Sequence, residues 1–116
     1  MQIQLNTDKH VQGDDALAEW TERELKDKLA RFRDQITRVE VHLSDVNGAR
    51  VGDADKRCKL EARLAGRQPV TVSHDAGKVA DALQGAAAKL VRALDTALGR
   101  VRDVRGRDSI RGESGD

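Results

Sequence analysis

Cys58 is the only cysteine in the chain, and with His10, His42 and His74 it makes up the set of residues best suited to nucleophilic or metal chemistry. A reactive thiolate needs a neighbouring cation or base, and a structural zinc site needs ligands in closely spaced pairs. Neither pattern occurs, because there is no second cysteine and the histidines stand far apart along the chain. Cys58 lies instead in the run DKRCKLEARL, where Cys58, Leu60, Ala62 and Leu64 alternate with Arg57, Lys59, Glu61 and Arg63. That alternation predicts a strand whose apolar side is buried, with Cys58 packed there as a small hydrophobe.

Other reactive groupings are equally incomplete. The segment VNGARVGDAD follows Asp45, which with Asn47 has the first spacing of a calcium loop. Gly48 comes too early for that loop, and Lys56 stands where its closing glutamate belongs, so a hairpin loop is expected there. Ser44, Ser73, Ser109 and Ser114 lie in no nucleophile motif, and no glycine-rich phosphate loop follows a strand. The carboxylates fall at helix starts and among basic residues, which capping and surface pairing explain. These patterns point away from an enzyme, a metal, a cofactor or a small-molecule substrate.

The elements that position these residues are legible from periodicity. MQIQLN alternates as a short strand. After Gly13, Asp14 or Asp15 is placed to cap a helix running to about Arg33, with Leu17, Thr21, Leu25, Leu29 and Phe32 as its buried stripe and Trp20 to one side. TRVEVHLSD, DKRCKLEARL and PVTVS alternate as three further strands. From Asp75, a good capping residue, to about Asp103, a second helix carries the stripe Val79, Leu83, Ala86, Ala87, Leu90, Leu94, Ala97, Leu98 and Val101. The predicted fold is α+β, in the order β-α-β-β-β-α, with two helices packed on one face of a four-stranded mixed sheet. It occupies residues 1–104 as one domain, and residues 105–116 are expected to form a disordered tail of mixed charge.

Charged residues make up 35% of the 116 and net to only +1, but their distribution is uneven. The first 22 residues are acidic, and basic charge gathers in the last helix and tail. Arg23, Lys26, Lys28, Arg31, Arg33 and Arg38 mark the first helix and its end; Lys78, Lys89, Arg92 and Arg100 project opposite the stripe of the second. With no tyrosine, one tryptophan and one phenylalanine, nucleic-acid binding would rest on charge and shape rather than on stacking. No apolar run is long enough to span a membrane and no signal peptide opens the chain, so a cytoplasmic location is expected.

With this order of elements, ITRVEVHLSD after LARFRDQ, the strand DKRCKLEARLAG and the helical run ADALQGAAAKLVRAL resemble the bacterial hibernation-promoting factor and ribosome-associated inhibitor family, of the short single-domain type. The resemblance implies the same fold and binding to rRNA of the small ribosomal subunit in stationary phase or stress, which inhibits translation. It also implies a protein monomeric off the ribosome, with contacts at Lys28, Arg31, Arg33, Lys89 and Arg92. Lys78 and Arg100 extend the basic set. Two departures stand out: Val79-Ala80 where the family often has an aromatic, and Asp95-Thr96 where it has a basic pair. Arg100, Arg102, Arg105 and Arg107 are placed to compensate the second.

Two other readings compete. A protein-interaction module of the same fold, no longer binding ribosomes, would use Trp20 as a hydrophobic anchor. A double-stranded RNA-binding domain would want a lysine cluster at the start of its last helix, where Lys78 stands alone. The open sheet face with His42, Arg57, Lys59 and Arg63 is a second candidate surface.

Overall fold

Strand β1 (Gln2–Thr7) pairs in parallel with β2 (Ile36–Asp45), which pairs antiparallel with β3 (Lys56–Leu64), itself antiparallel to β4 (Val70–Ala76), so the sheet order is β1-β2-β3-β4. Helix α1 (Asp15–Lys28) bridges the parallel pair, and α2 (Val79–Ser109) follows β4. The computed structural model describes residues 1–8, 11, 13–46 and 55–109, with side chains as far as Leu98. The predicted class and order of elements are therefore those observed. The hairpin loop expected between β2 and β3 lies outside the described residues, although Asp45 opposite Lys56 and the Val46 N–H donating to the Asp55 carbonyl at 2.8 Å join the two strands at its base.

One face of the sheet is the core. Val39, Val41, Leu43, Cys58, Leu60 and Ala62 lie under α2 and α1 and meet Leu25, Leu29, Phe32, Leu83, Leu90 and Leu94, all essentially without solvent contact. Cys58 is fully buried, and burial pushes its thiol up to about 12, so it stays a protonated, apolar-like side chain at neutral pH. Alternating strands with one buried face explain why the period-two pattern was decisive.

Three expectations need correction. Helix α1 is capped by Asp14, whose Oδ1 accepts the Leu17 N–H at 2.8 Å, but it ends at Lys28 rather than Arg33. A 3₁₀ turn over Ala30–Phe32 follows, its Phe32 N–H donating to Leu29 O at 2.9 Å; the tighter winding turns Phe32 into the core beside Leu29. Trp20, to one side of the α1 stripe as expected, is half-buried and packs against the core.

Asp75 does not cap α2. It belongs to β4, opposite Arg57, whose Nε and Nη2 donate to its two carboxylate oxygens at 2.8 and 3.1 Å. The helix opens instead with the Ala82 N–H donating to Lys78 O at 2.9 Å, and it reaches Ser109, beyond Asp103. Residues 105–109 of the expected tail are thus helical, and 110–116 lie outside the described residues.

Gly85 explains how α2 approaches β4. A Cβ at this position would overlap the ring of His74, which points inward from β4. The helix tolerates a glycine, at about 1 kcal/mol relative to alanine, in exchange for a place to seat the imidazole.

Candidate nucleic-acid interface

The cations expected to act together come from three elements. Lys28 ends α1, Arg31 and Arg33 lie in and just after the 3₁₀ turn, and Lys89 and Arg92 are on α2; all are exposed. The Arg31 guanidinium joins the two helical layers, because its Nη2 lies 2.6 Å from Asp95 Oδ2 while its Cζ sits 4.6 Å from the centre of the Phe32 ring. Asp95 therefore does more than remove a cation from the expected face: it neutralises one that is there.

Helical geometry sorts the rest. Arg92 precedes Asp95 by less than one turn and is rotated from it by about 60°, so it is a neighbour of the Arg31 pair; Lys89 is rotated by a further 60° or so. Lys89 faces the β4 edge, where its ammonium donates to the Ser73 carbonyl at 2.9 Å. Lys78 precedes the helix and lies about 25 Å from Asp95 along its axis. Arg100 is within α2, but its side chain lies outside the described residues. At the basic end, Arg31 is held to Asp95, Arg92 lies within a turn of Asp95 on the same helix, and Lys28 and Arg33 stand on either side of the 3₁₀ turn in the chain; Lys89 is on the flank and Lys78 remote.

On the uncovered face of the sheet, the charges are largely paired. Arg38 Nη2 lies 2.6 Å and Arg63 Nε 3.4 Å from Glu40 Oε2, Arg63 Nη2 is 3.7 Å from Glu61, and Arg57 holds Asp75. Burial works against the ionised form of Glu40, but Arg38 and Arg63 outweigh it and hold its carboxyl below the usual range. The hydrogen bond from Arg57 does the same for Asp75, against a smaller opposing effect of burial. Reading the sequence for single-element faces missed these pairings, although the Arg57 and Asp75 sites were visible in it.

Both carboxyls are depressed in the folded state, so the stability they contribute is complete above their ordinary values of 4.5 and 3.8 and is lost as pH falls through the depressed ones. Thermal unfolding is therefore expected to be unaffected by these groups from pH 7 to about 5 and to weaken below about pH 4. Arg57→Gln should make that acid limb shallower, and an identical limb would show that Asp75 plays no part in it.

Among the described residues no three His, Cys, Asp or Glu side chains are grouped to hold a metal ion, and no helix is long and apolar enough to cross a membrane. What the fold defines is an α+β domain with a mixed sheet, helices on one face and an Arg31–Asp95 ion pair joining the 3₁₀ turn after α1 to α2. Residues 5–102 match the family described as sigma 54 modulation protein / S30EA ribosomal protein, and the chain belongs to that family. Among solved structures it is similar to the Protein Y N-terminal domain of Thermus thermophilus, at 22% identity and TM-score 0.62, covering 78% of this chain and 91% of that one. It is also similar to a ribosomal subunit interface protein from Coxiella burnetii, at 22% identity and TM-score 0.65, covering 85% and 99% of the respective chains. No curated protein matches it significantly in sequence.

Proposed function

We propose that this chain is a cytoplasmic, non-enzymatic ribosome-binding factor that binds rRNA of the small subunit in stationary phase or stress and inhibits translation, and that it is monomeric off the ribosome. The family match over residues 5–102 carries this reading. The basic end supports it, since Lys28, Arg33 and Arg92 are exposed there with no ion pair among the described residues. Phosphate and shape recognition of structured RNA asks for no stacking aromatic, and here Phe32 is buried and Trp20 half-buried. The alternative, a protein-interaction module anchored on Trp20, has less support, since Trp20 is half-buried against the core.

Co-sedimentation with purified small subunits across a salt series tests the proposal. If Lys28, Arg33, Arg92 and Lys89 each neutralise one phosphate, log affinity should fall with log salt at a slope of roughly −3. Absence of binding at low salt would refute it.

Asp95→Asn provides a second test. The Arg31–Asp95 pair is about half exposed on both sides and contributes little to stability, so the variant should unfold nearly as wild type. Freed Arg31 should add one phosphate contact, steepening the salt slope by about 0.7–0.9. An unchanged slope would mean that Arg31 does not face the RNA.

A further inference from the structure

Side chains on the uncovered face of the sheet fall into rows set by the strand register. Arg38 and Arg63 form one row, Glu40 and Glu61 the next, and Asn6, His42, Lys59 and Ser73 a third that crosses all four strands. In the first two rows the charges cancel where they stand, through the contacts of Arg38 and Arg63 with Glu40 and Glu61. Beyond the third row, Arg57 is held by Asp75.

The third row is different. Each of its members carries an N–H or O–H donor and none a carboxylate. Lys59 is exposed, and it is the one cation of this face without an ion pair among the described residues. His42 has only a 3.7 Å approach to Glu40, and Asn6 uses one amide hydrogen on the Val41 carbonyl at 3.4 Å. At strand spacing the row is about 14 Å long. It ends at the β4 edge on Ser73, whose carbonyl holds the Lys89 ammonium, so donors and positive charge continue around that edge onto α2.

We propose that the row Asn6, His42, Lys59 and Ser73 is a second phosphate-binding surface, taking the sugar–phosphate backbone of an RNA strand on the side of the sheet opposite the helices. The chemistry of the face favours RNA over a protein. Protein interfaces draw their energy from buried aromatic or aliphatic anchors, and the described side chains of this face are all polar or charged. Phosphate contacts need only donors and cations. The surface is separate from the helix-borne interface, and with both engaged the domain is held from two sides.

The test uses the full chain in two measurements. In salt-dependent binding to small subunits, Lys59→Gln should weaken binding most at low salt and flatten the slope by about 0.7–0.9, so that its deficit against wild type shrinks about threefold between 50 and 200 mM salt. Lys59→Arg should restore most of this. In an NMR titration with a twelve-nucleotide oligouridylate, the amide resonances of His42, Lys59 and Ser73 should shift, and added salt should reverse the shift. The inference is overturned if Lys59→Gln leaves slope and affinity unchanged while substitutions on the helix face weaken binding, a result that leaves the ribosomal role standing. It is also overturned if polyglutamate shifts those amides and oligouridylate does not, because the face would then accept an acidic protein segment. If the wild-type chain binds no subunits at any salt, the ribosomal role fails, and the oligouridylate titration alone decides the row.

Discussion

Simultaneous replacement of Lys28, Arg33 and Arg92 by glutamate should weaken small-subunit binding by on the order of 10² to 10³-fold and flatten its salt slope by about 2 to 3. The size of the effect follows from where these cations stand. Lys28 and Arg33 flank the 3₁₀ turn that carries Arg31, and Arg92 lies on α2 within one turn of Asp95, the partner of Arg31. None has an ion pair among the described residues, so each is available to a phosphate, and reversal replaces attraction by repulsion. The fold should not suffer. All three are exposed, and surface substitutions of this kind usually change stability by within about 0.5 kcal/mol.

Two measurements separate the cases. Co-sedimentation reads the affinity, and thermal unfolding confirms that the variant is folded. Lys78→Glu serves as the contrast, since Lys78 lies about 25 Å along the helix axis from Asp95 and its reversal should change binding far less. Equal losses from Lys78→Glu and from the triple variant would mean that net charge, rather than this surface, governs binding. Undiminished binding by the triple variant would remove the helix end from the interface.

Phe32→Ala should be the most damaging single substitution for the fold, at about 3–5 kcal/mol. The chain's only phenylalanine is buried to 1% exposure, and the 3₁₀ turn exists where it does because this ring must enter the core after α1 has ended. A loss of that size is a large share of the roughly 5–15 kcal/mol that holds a domain of this kind together. The site would suffer with the core, because Arg31 stacks over the same ring at 4.6 Å and reaches Asp95 from that position. Chemical denaturation gives the stability directly, and Phe32→Leu, which keeps most of the buried volume, should retain much of it. A denaturation midpoint unchanged in Phe32→Ala would show that the turn does not depend on its ring.

Strands and helices were legible in the sequence because the signals that specify them are local. A period of two in RVEVHLSD and RCKLEARL marks one buried side, and Leu17, Thr21 and Leu25 mark the inner face of α1. Cys58 was placed correctly for the same reason: its neighbours in the alternation fix its side of the strand, and burial then leaves the thiol protonated. Local signals misplaced what depends on a partner. Asp75 has the type of a helix cap but lies in β4, since Arg57 across the ladder offers its carboxylate two hydrogen bonds.

The candidate interface divides in the same way. Its cations, the departure at Asp95 and the open sheet face could all be named from residue type and periodicity. Their grouping could not. Arg31 and Asp95 are 64 residues apart and meet only because the end of α1 packs beside the middle of α2. Lys89 is turned to Ser73 by the way α2 lies along β4, an approach that Gly85 permits by making room for His74. The row containing Lys59 exists only in the register of four strands. The elements, their buried faces and the inventory of charges can be read from residue order, because periodicity is a property of neighbours along the chain. Tertiary structure decided which charges cancel and which stay free, because ion pairs act over a few ångströms and only packing brings residues from distant elements that close.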